Sequence, residues 1–302
     1  MNKTLSHTID FLRFPMAIMV VQLHCFGSLT NWSNYNTNQL SNFSIYDHLS
    51  LSTNIICQIA VPIFFCISGY LYPPYLTEIN TVELINHRKK LLSRTKSVLI
   101  PYIIWNIIAY ISLLLVKILG VLVYNNPIEN IHTFLSLPNI FYSIFGHPNN
   151  TFGWHPIDSP LWFIRDLYVL FLLIPLIINA LNLLKNILMI TITSVFILSI
   201  WDGFPMFQIQ SLFFYTLGLY LKLYNIEILP FLCKYRHLFI ITAILSFALR
   251  YISGSREFMP IFIISASGLI FYFSSLIQKL SISEQIKSAK KYSFLFMHYT
   301  CF

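Results

Sequence analysis

The sequence predicts an all-α protein, a polytopic transmembrane helical bundle of about eight to ten spans in a single membrane domain over residues 1–302. Three observations predict it. Apolar residues make up 56% of the chain and charged residues 10%, against about 25% charged in an ordinary soluble domain. The mean hydropathy is +0.68. The basic residues are concentrated in alternate loops. Water does not dissolve such a composition as one globule with a polar skin, which excludes most soluble enzymes, a disordered chain and a nucleic-acid-binding module. There are 19 Lys and Arg against 11 Asp and Glu, a net charge of +8. In a membrane protein this excess reports topology before it reports a polyanionic partner.

A spanning helix needs about 20 mostly apolar residues. Stretches of that kind lie at 9–28, 55–72, 98–123, 161–181, 187–201, 207–222, 238–252 and 260–278. The first is read as a retained helix, because no A-x-A-like cleavage site follows it and more spans do. The segment 131–146 is apolar but contains Pro138, and is expected to be interfacial or re-entrant. A last apolar stretch runs from Tyr292 to Phe302. It is too short to cross alone, so a short or truncated closing helix is expected. With the N-terminus in the cytoplasm, the inner loops hold Lys3, Arg88, Lys89, Lys90, Arg94, Lys96, Lys185, Lys222, Lys234, Arg236, Lys279, Lys287, Lys290 and Lys291. The outer loops, 29–54 and 124–160, hold almost none. The positive-inside rule therefore places the chain in the cytoplasmic (inner) membrane with its N-terminus cytoplasmic and the lipid bilayer as its first partner. Five cysteines with no CxxC spacing predict neither a disulfide framework nor a metal site.

A charge or an imidazole inside a span is costly and asks for a reason. Arg13 and His24 are eleven residues apart, which brings them to within about 20° on one helix face and about 16 Å apart along it. Asp10 lies one turn before Arg13 and can pair with it. A helix-end anchor and a hydrogen-bonded core histidine would use the same spacing. In the second span, Pro62, Ser68 and Gly69 permit close helix packing. The following segment carries Arg88, Lys89, Lys90, Arg94 and Lys96. Such a cluster serves topology and lipid head groups, and can also hold the phosphates of a cytosolic cofactor. At the opening of the fourth span, Trp154, His155, Asp158, Trp162, Arg165 and Asp166 put polar groups beside indole rings, a usual way to hold a sugar. The same residues would serve an interfacial aromatic belt with an Arg165–Asp166 pair.

Taken in order, these words resemble the acyltransferase 3 family of integral-membrane acyltransferases. Asp10-Phe11-Leu12-Arg13, ten residues and His24 are similar to the family's R-x10-H first helix. Val61-Pro62-Ile63-Phe64-Phe65-Cys66-Ile67-Ser68-Gly69-Tyr70 is similar to its FF-x-x-SG segment. The basic segment leading into Ile100-Pro101-Tyr102 and the run Pro160-Leu161-Trp162-Phe163-Ile164-Arg165-Asp166-Leu167 also match, and Tyr292 through His298 resembles the start of its closing helix. Two departures stand out. Ser97 occupies the place of a second arginine, with Lys96 beside it, and the chain stops four residues after His298.

The resemblance implies transfer of an acetyl or other short acyl group from cytosolic acyl-CoA to a hydroxyl of a cell-surface polysaccharide or a lipid-linked glycan. Acetyl-CoA would be the donor co-substrate, with no metal. His24 and Arg13 would be catalytic. Arg88, Lys89, Lys90, Arg94 and Lys96 would hold the CoA phosphates. Trp154, His155, Asp158, Trp162, Arg165, Asp166 and Ser68 would meet the acceptor sugar. The rival readings are a transporter or flippase, which would show paired broken helices in two halves, and a degenerate non-catalytic relative.

Overall fold

The computed structural model describes residues 3–27, 40, 42–72, 81–124, 134–146, 155–199 and 207–277. Among the described residues the regular structure is helical: α1 (Lys3–Gly27), α2 (Ile45–Cys57), α3 (Ala60–Tyr70), α4 (Thr81–Arg94), α5 (Ile100–Tyr124), α6 (Leu137–Phe145), α7 (Trp162–Leu184), α8 (Asn186–Ile197), α9 (Ile209–Leu223), α10 (Ile228–Lys234), α11 (Arg236–Ser253) and α12 (Met259–Ile277). Among the described residues six segments are long and apolar enough to cross a membrane: 8–25, 45–70, 85–120, 159–184, 236–253 and 256–277. The stretches expected to span at 187–201 and 207–222 form helices of 12 and 15 residues. The predicted closing stretch and Trp154 lie outside the described residues.

The chain divides into two compact units. The first combines residues 1–74, 186–200 and 213–302. In it α1 packs on α2, α3 and α12, and α11 pairs with α12. Helix α1 buries Ile9, Leu12, Met16 and Val20, spaced to lie along one stripe. Helices α2 and α3 form one 26-residue apolar run, interrupted by a turn at Gln58 and Ile59. Its start differs from the loop expected up to residue 54. Ser44 and Asp47 form a capping box: the Ser44 side chain accepts from the Asp47 N–H at 3.3 Å and the Asp47 carboxylate accepts from the Ser44 N–H at 2.9 Å. The S-x-x-D word at the edge of an apolar run carries that start.

One crossing in this unit is unusually close. A Cβ added at Gly69 of α3 would lie 2.1 Å from the Tyr215 carbonyl oxygen of α9, and one added at Gly218 would lie 2.1 Å from the Cys66 carbonyl oxygen. The two helices touch backbone to backbone through these two glycines. One turn beyond, Lys222 Nζ stands 5.5 Å from the centroid of the Tyr70 ring.

The second unit combines residues 75–185 and 201–212. The basic segment, expected as a loop, is helical through α4 and continues into α5 by a π-helical turn at Thr95–Leu99. Lys, Arg and Leu are good helix formers, and no breaker stands between Thr81 and Ile100. Pro101 explains the π turn. It has no N–H to give to the carbonyl four residues back, and the Ile100 N–H reaches back five residues to the Thr95 oxygen. Pro138, read as a break, instead opens α6 from its first turn.

Candidate functional site

In the second unit the turn before α7 and the first turns of α7 assemble a polar network. Arg165 Nε and Nη2 donate to one Asp166 oxygen, Oδ1, at 3.2 and 2.9 Å, and Arg165 Nη1 donates to the Phe145 carbonyl at the end of α6 at 2.7 Å. The other Asp166 oxygen accepts from the Gln208 N–H at 2.8 Å and from the Ser211 hydroxyl at 2.7 Å. Asp166 is 0% exposed. The pair therefore ties α6, α7 and the start of α9 together, and a buried charge with this many partners is a fixed structural element.

Beside this tie, the backbone N–H of Asp158 donates to Asn106 Oδ1 at 3.2 Å, and Asn106 Nδ2 donates to the Tyr102 carbonyl at 2.9 Å. The Tyr102 hydroxyl donates to the Ile144 carbonyl. Burial pushes the Asp158 carboxyl up to about 6. The imidazole of His155 stands edge-on to Trp162, centroids 6.4 Å apart. Its Nδ1 is buried with no hydrogen-bond partner among the described residues. Burial first, and the Arg165 charge second, hold its pKa below the usual value. Near neutrality this corner presents a neutral imidazole, an ionised carboxylate and an indole, which together can meet the hydroxyls and ring faces of a sugar.

The basic segment separates into two groups. His87, Lys90 and Arg94 fall on one strip of α4, at i, i+3 and i+7. The His87 ring stacks on Phe171 of α7 at 5.6 Å, and the Arg94 guanidinium lies 5.8 Å from the centroid of the same ring. The Thr95 hydroxyl is 2.8 Å from the Tyr168 hydroxyl, which anchors the π turn to α7. Arg88, Lys89 and Lys96 are exposed on other directions of the helix.

In the first unit Arg13 pairs with Asp10 at 3.6 Å, and its side chain is 40% exposed. His24 is half-buried. By helical angle both lie on the flank of the buried stripe, between Val20 and Ala17, which are buried. Ser68 is half-buried on α3, next to the packing glycine Gly69.

Residues 6–296 match the family described as Acyltransferase domain. The chain belongs to this acyltransferase 3 family. No curated protein and no solved structure matches it. The match and the apolar helices make it an integral-membrane acyltransferase.

For this acyltransferase, several site residues escaped the sequence reading. His87, Tyr168 and Phe171 are ordinary on paper, because only the α4–α7 packing joins them. Asn106 is a single polar residue in an apolar run, and Ser211 closes a short polar cluster with Gln208 and Gln210 at the start of another. Both are 0% exposed, and the trace each leaves in the sequence is a polar position inside an apolar stretch.

Proposed function

We propose that this acyltransferase moves an acetyl or other short acyl group from cytosolic acyl-CoA to a hydroxyl of a cell-surface polysaccharide or lipid-linked glycan. The family match over residues 6–296 carries the reaction class. The donor side is supported by Lys90 and Arg94 on one strip of α4, with Arg94 against Phe171, since guanidinium and ammonium groups bind phosphate. The acceptor side is supported by His155, Asp158 and Trp162, about 14 Å from the level of Phe171 along α7. On this reading the N-terminus is cytoplasmic and the basic segment faces the inner surface, where acyl-CoA is found.

The chemistry falls to α1. The acceptor O–H gives its proton to the His24 imidazole as its oxygen attacks the thioester carbonyl carbon. The C–S bond then breaks, and the CoA thiolate takes the proton from His24. Imidazole has the right ordinary pKa for this exchange. An acyl-His24 intermediate would use the same nitrogen as nucleophile. Arg13 stabilises negative charge on the donor phosphate or on the developing oxyanion. Arg165 and Asp166 act on the acceptor through the positions they hold.

The test uses the full chain in nanodiscs with radiolabelled acetyl-CoA and surface glycan from its host, reading free CoA thiol and label on glycan together. His24→Ala and Arg13→Ala are expected to lower transfer by roughly 100-fold or more at unchanged membrane level. If both variants are inserted normally and transfer label at the wild-type rate, the roles are wrong. Glycan crossing the bilayer with no CoA released would favour a transporter.

A further inference from the structure

We propose that His48 and Tyr251 form a second carbohydrate subsite, which holds a sugar next to the one being acylated. It rests on the glycan-acceptor reading above. The Tyr251 hydroxyl and His48 Nδ1 lie 2.5 Å apart and join the start of α2 to the end of α11. Their rings are stacked, centroids 6.1 Å apart at 26°. Phe43 lies 5.6 Å from His48 on one side, and Phe247 stacks on Tyr251 at 5.9 Å on the other. The result is a row of four rings, with His48 and Tyr251 half-exposed in its middle. Tyr46, 50% exposed, follows Phe43 on α2, and Arg256 and Glu257 are exposed on the turn after Tyr251.

The depth of this row relative to His24 follows from contacts inside the first unit. Cys57 of α2 meets Gln22 of α1, Sγ to Oε1 3.6 Å. Further along, Cys66, Ile67 and Tyr70 share a pocket with Ile9. The α2–α3 run and α1 are therefore antiparallel. His24 lies two residues beyond Gln22, and His48 nine residues before Cys57. At 1.5 Å per residue His48 stands about 10 Å beyond His24, toward the end where α1 finishes. A glycan whose reacting hydroxyl is at His24 extends past this row. The half-exposed rims of the Tyr251 phenol and the His48 imidazole match the C–H groups and hydroxyls of a pyranose.

Glycan fragments of one and of four sugars, released from host surface polysaccharide, are the probes. The full chain in nanodiscs is assayed for acetyl transfer to each, and saturation-transfer NMR from the protein's aromatic protons reads binding without chemistry. In wild type the four-sugar fragment is expected to have a kcat/KM roughly tenfold above the single sugar. His48→Ala and Tyr251→Ala collapse that ratio to about one, while Tyr251→Phe, which keeps the ring, retains most of it. A wild-type ratio near one, or variants that lower transfer to both fragments equally along with thermal stability, would make the pair a structural tie and overturn the subsite. If wild type acylates neither fragment, the glycan-acceptor reading fails, and the NMR arm still decides whether the row binds sugar.

Discussion

The α3–α9 crossing makes Gly69→Ala a sharp test of what the FF-x-x-SG segment is for. The new Cβ would sit 2.1 Å from the Tyr215 carbonyl oxygen and 3.1 Å from the Leu219 nitrogen. Attractive contact between heavy atoms is reached only near about 3.5 Å, so the helices must part by about 1.4 Å or bend. Parting also loosens Gly218 against Cys66, because both glycines serve one contact. Overpacking against rigid backbone costs about 3 kcal/mol, the upper part of its usual range. Alanine's helix propensity returns about 1 kcal/mol. The net expectation is about 2 kcal/mol, a shift of roughly 30-fold in the folding equilibrium. Equilibrium unfolding in mixed micelles measures it. The double variant with Gly218→Ala should cost little more than either single one, since helices already parted have room for the second methyl. Gly120, whose added Cβ meets nothing within 4 Å, is the control, and alanine there should be neutral or slightly stabilising. A cost below about 0.5 kcal/mol at Gly69, or strictly additive costs at 69 and 218, would refute the packing argument and return the segment to substrate contact.

Further outcomes follow from the second unit. Asp166→Ala strips the buried Arg165 of its counter-ion and is expected to cost about 3–5 kcal/mol. Ser211→Ala removes one hydrogen bond to the charged carboxylate and is expected to cost about 1.5–3 kcal/mol; unfolding in micelles that ranks the two in the opposite order would dismiss the network. Asp158, with its carboxyl pushed up to about 6, takes up a proton as pH falls through that value, so acceptor KM should rise below pH 6 in wild type and lose that dependence in Asp158→Asn. The unfolded chain releases the same proton near pH 4. Asp158 therefore lowers stability as pH rises from about 4 to about 6, and Asp158→Asn should be no less stable than wild type at pH 7.

Much of the fold was legible because bilayer chemistry leaves few choices. Composition and run length place α1, α5, α7, α11 and α12 nearly where they lie. The errors came where one local word was read without its neighbours. Pro138 by itself reads as a break, although a proline within the first turn starts a helix as readily as it ends one. The basic segment reads as a loop by its polarity, although its residues favour helix and Pro101 only re-spaces it through a π turn. At the site, adjacency along the chain showed Arg165 beside Asp166. It did not show that Gln208, Ser211 and Phe145 complete their hydrogen bonds, because those partners come from 20 to 45 residues away. His87 and Phe171 stayed hidden for the same reason.

The polar residues of the second unit divide by what holds them, and the division says which assay will feel each one. Arg165 and Asp166 are buried and bonded to three other parts of the chain, so altering them changes the free energy of folding before it changes any reaction step. His155 and Asp158 sit a few residues earlier, with burial moving both away from their ordinary pKa values in the direction of the neutral form. Groups whose protonation is poised this way are felt in pH profiles and KM. The network of fixed charges holds the turn, and the turn sets the environment of the two titrating groups. A variant of Asp166 that still folds should therefore displace the pH dependence of acceptor KM, and Ser211→Ala, the milder change, is where that displacement is measurable.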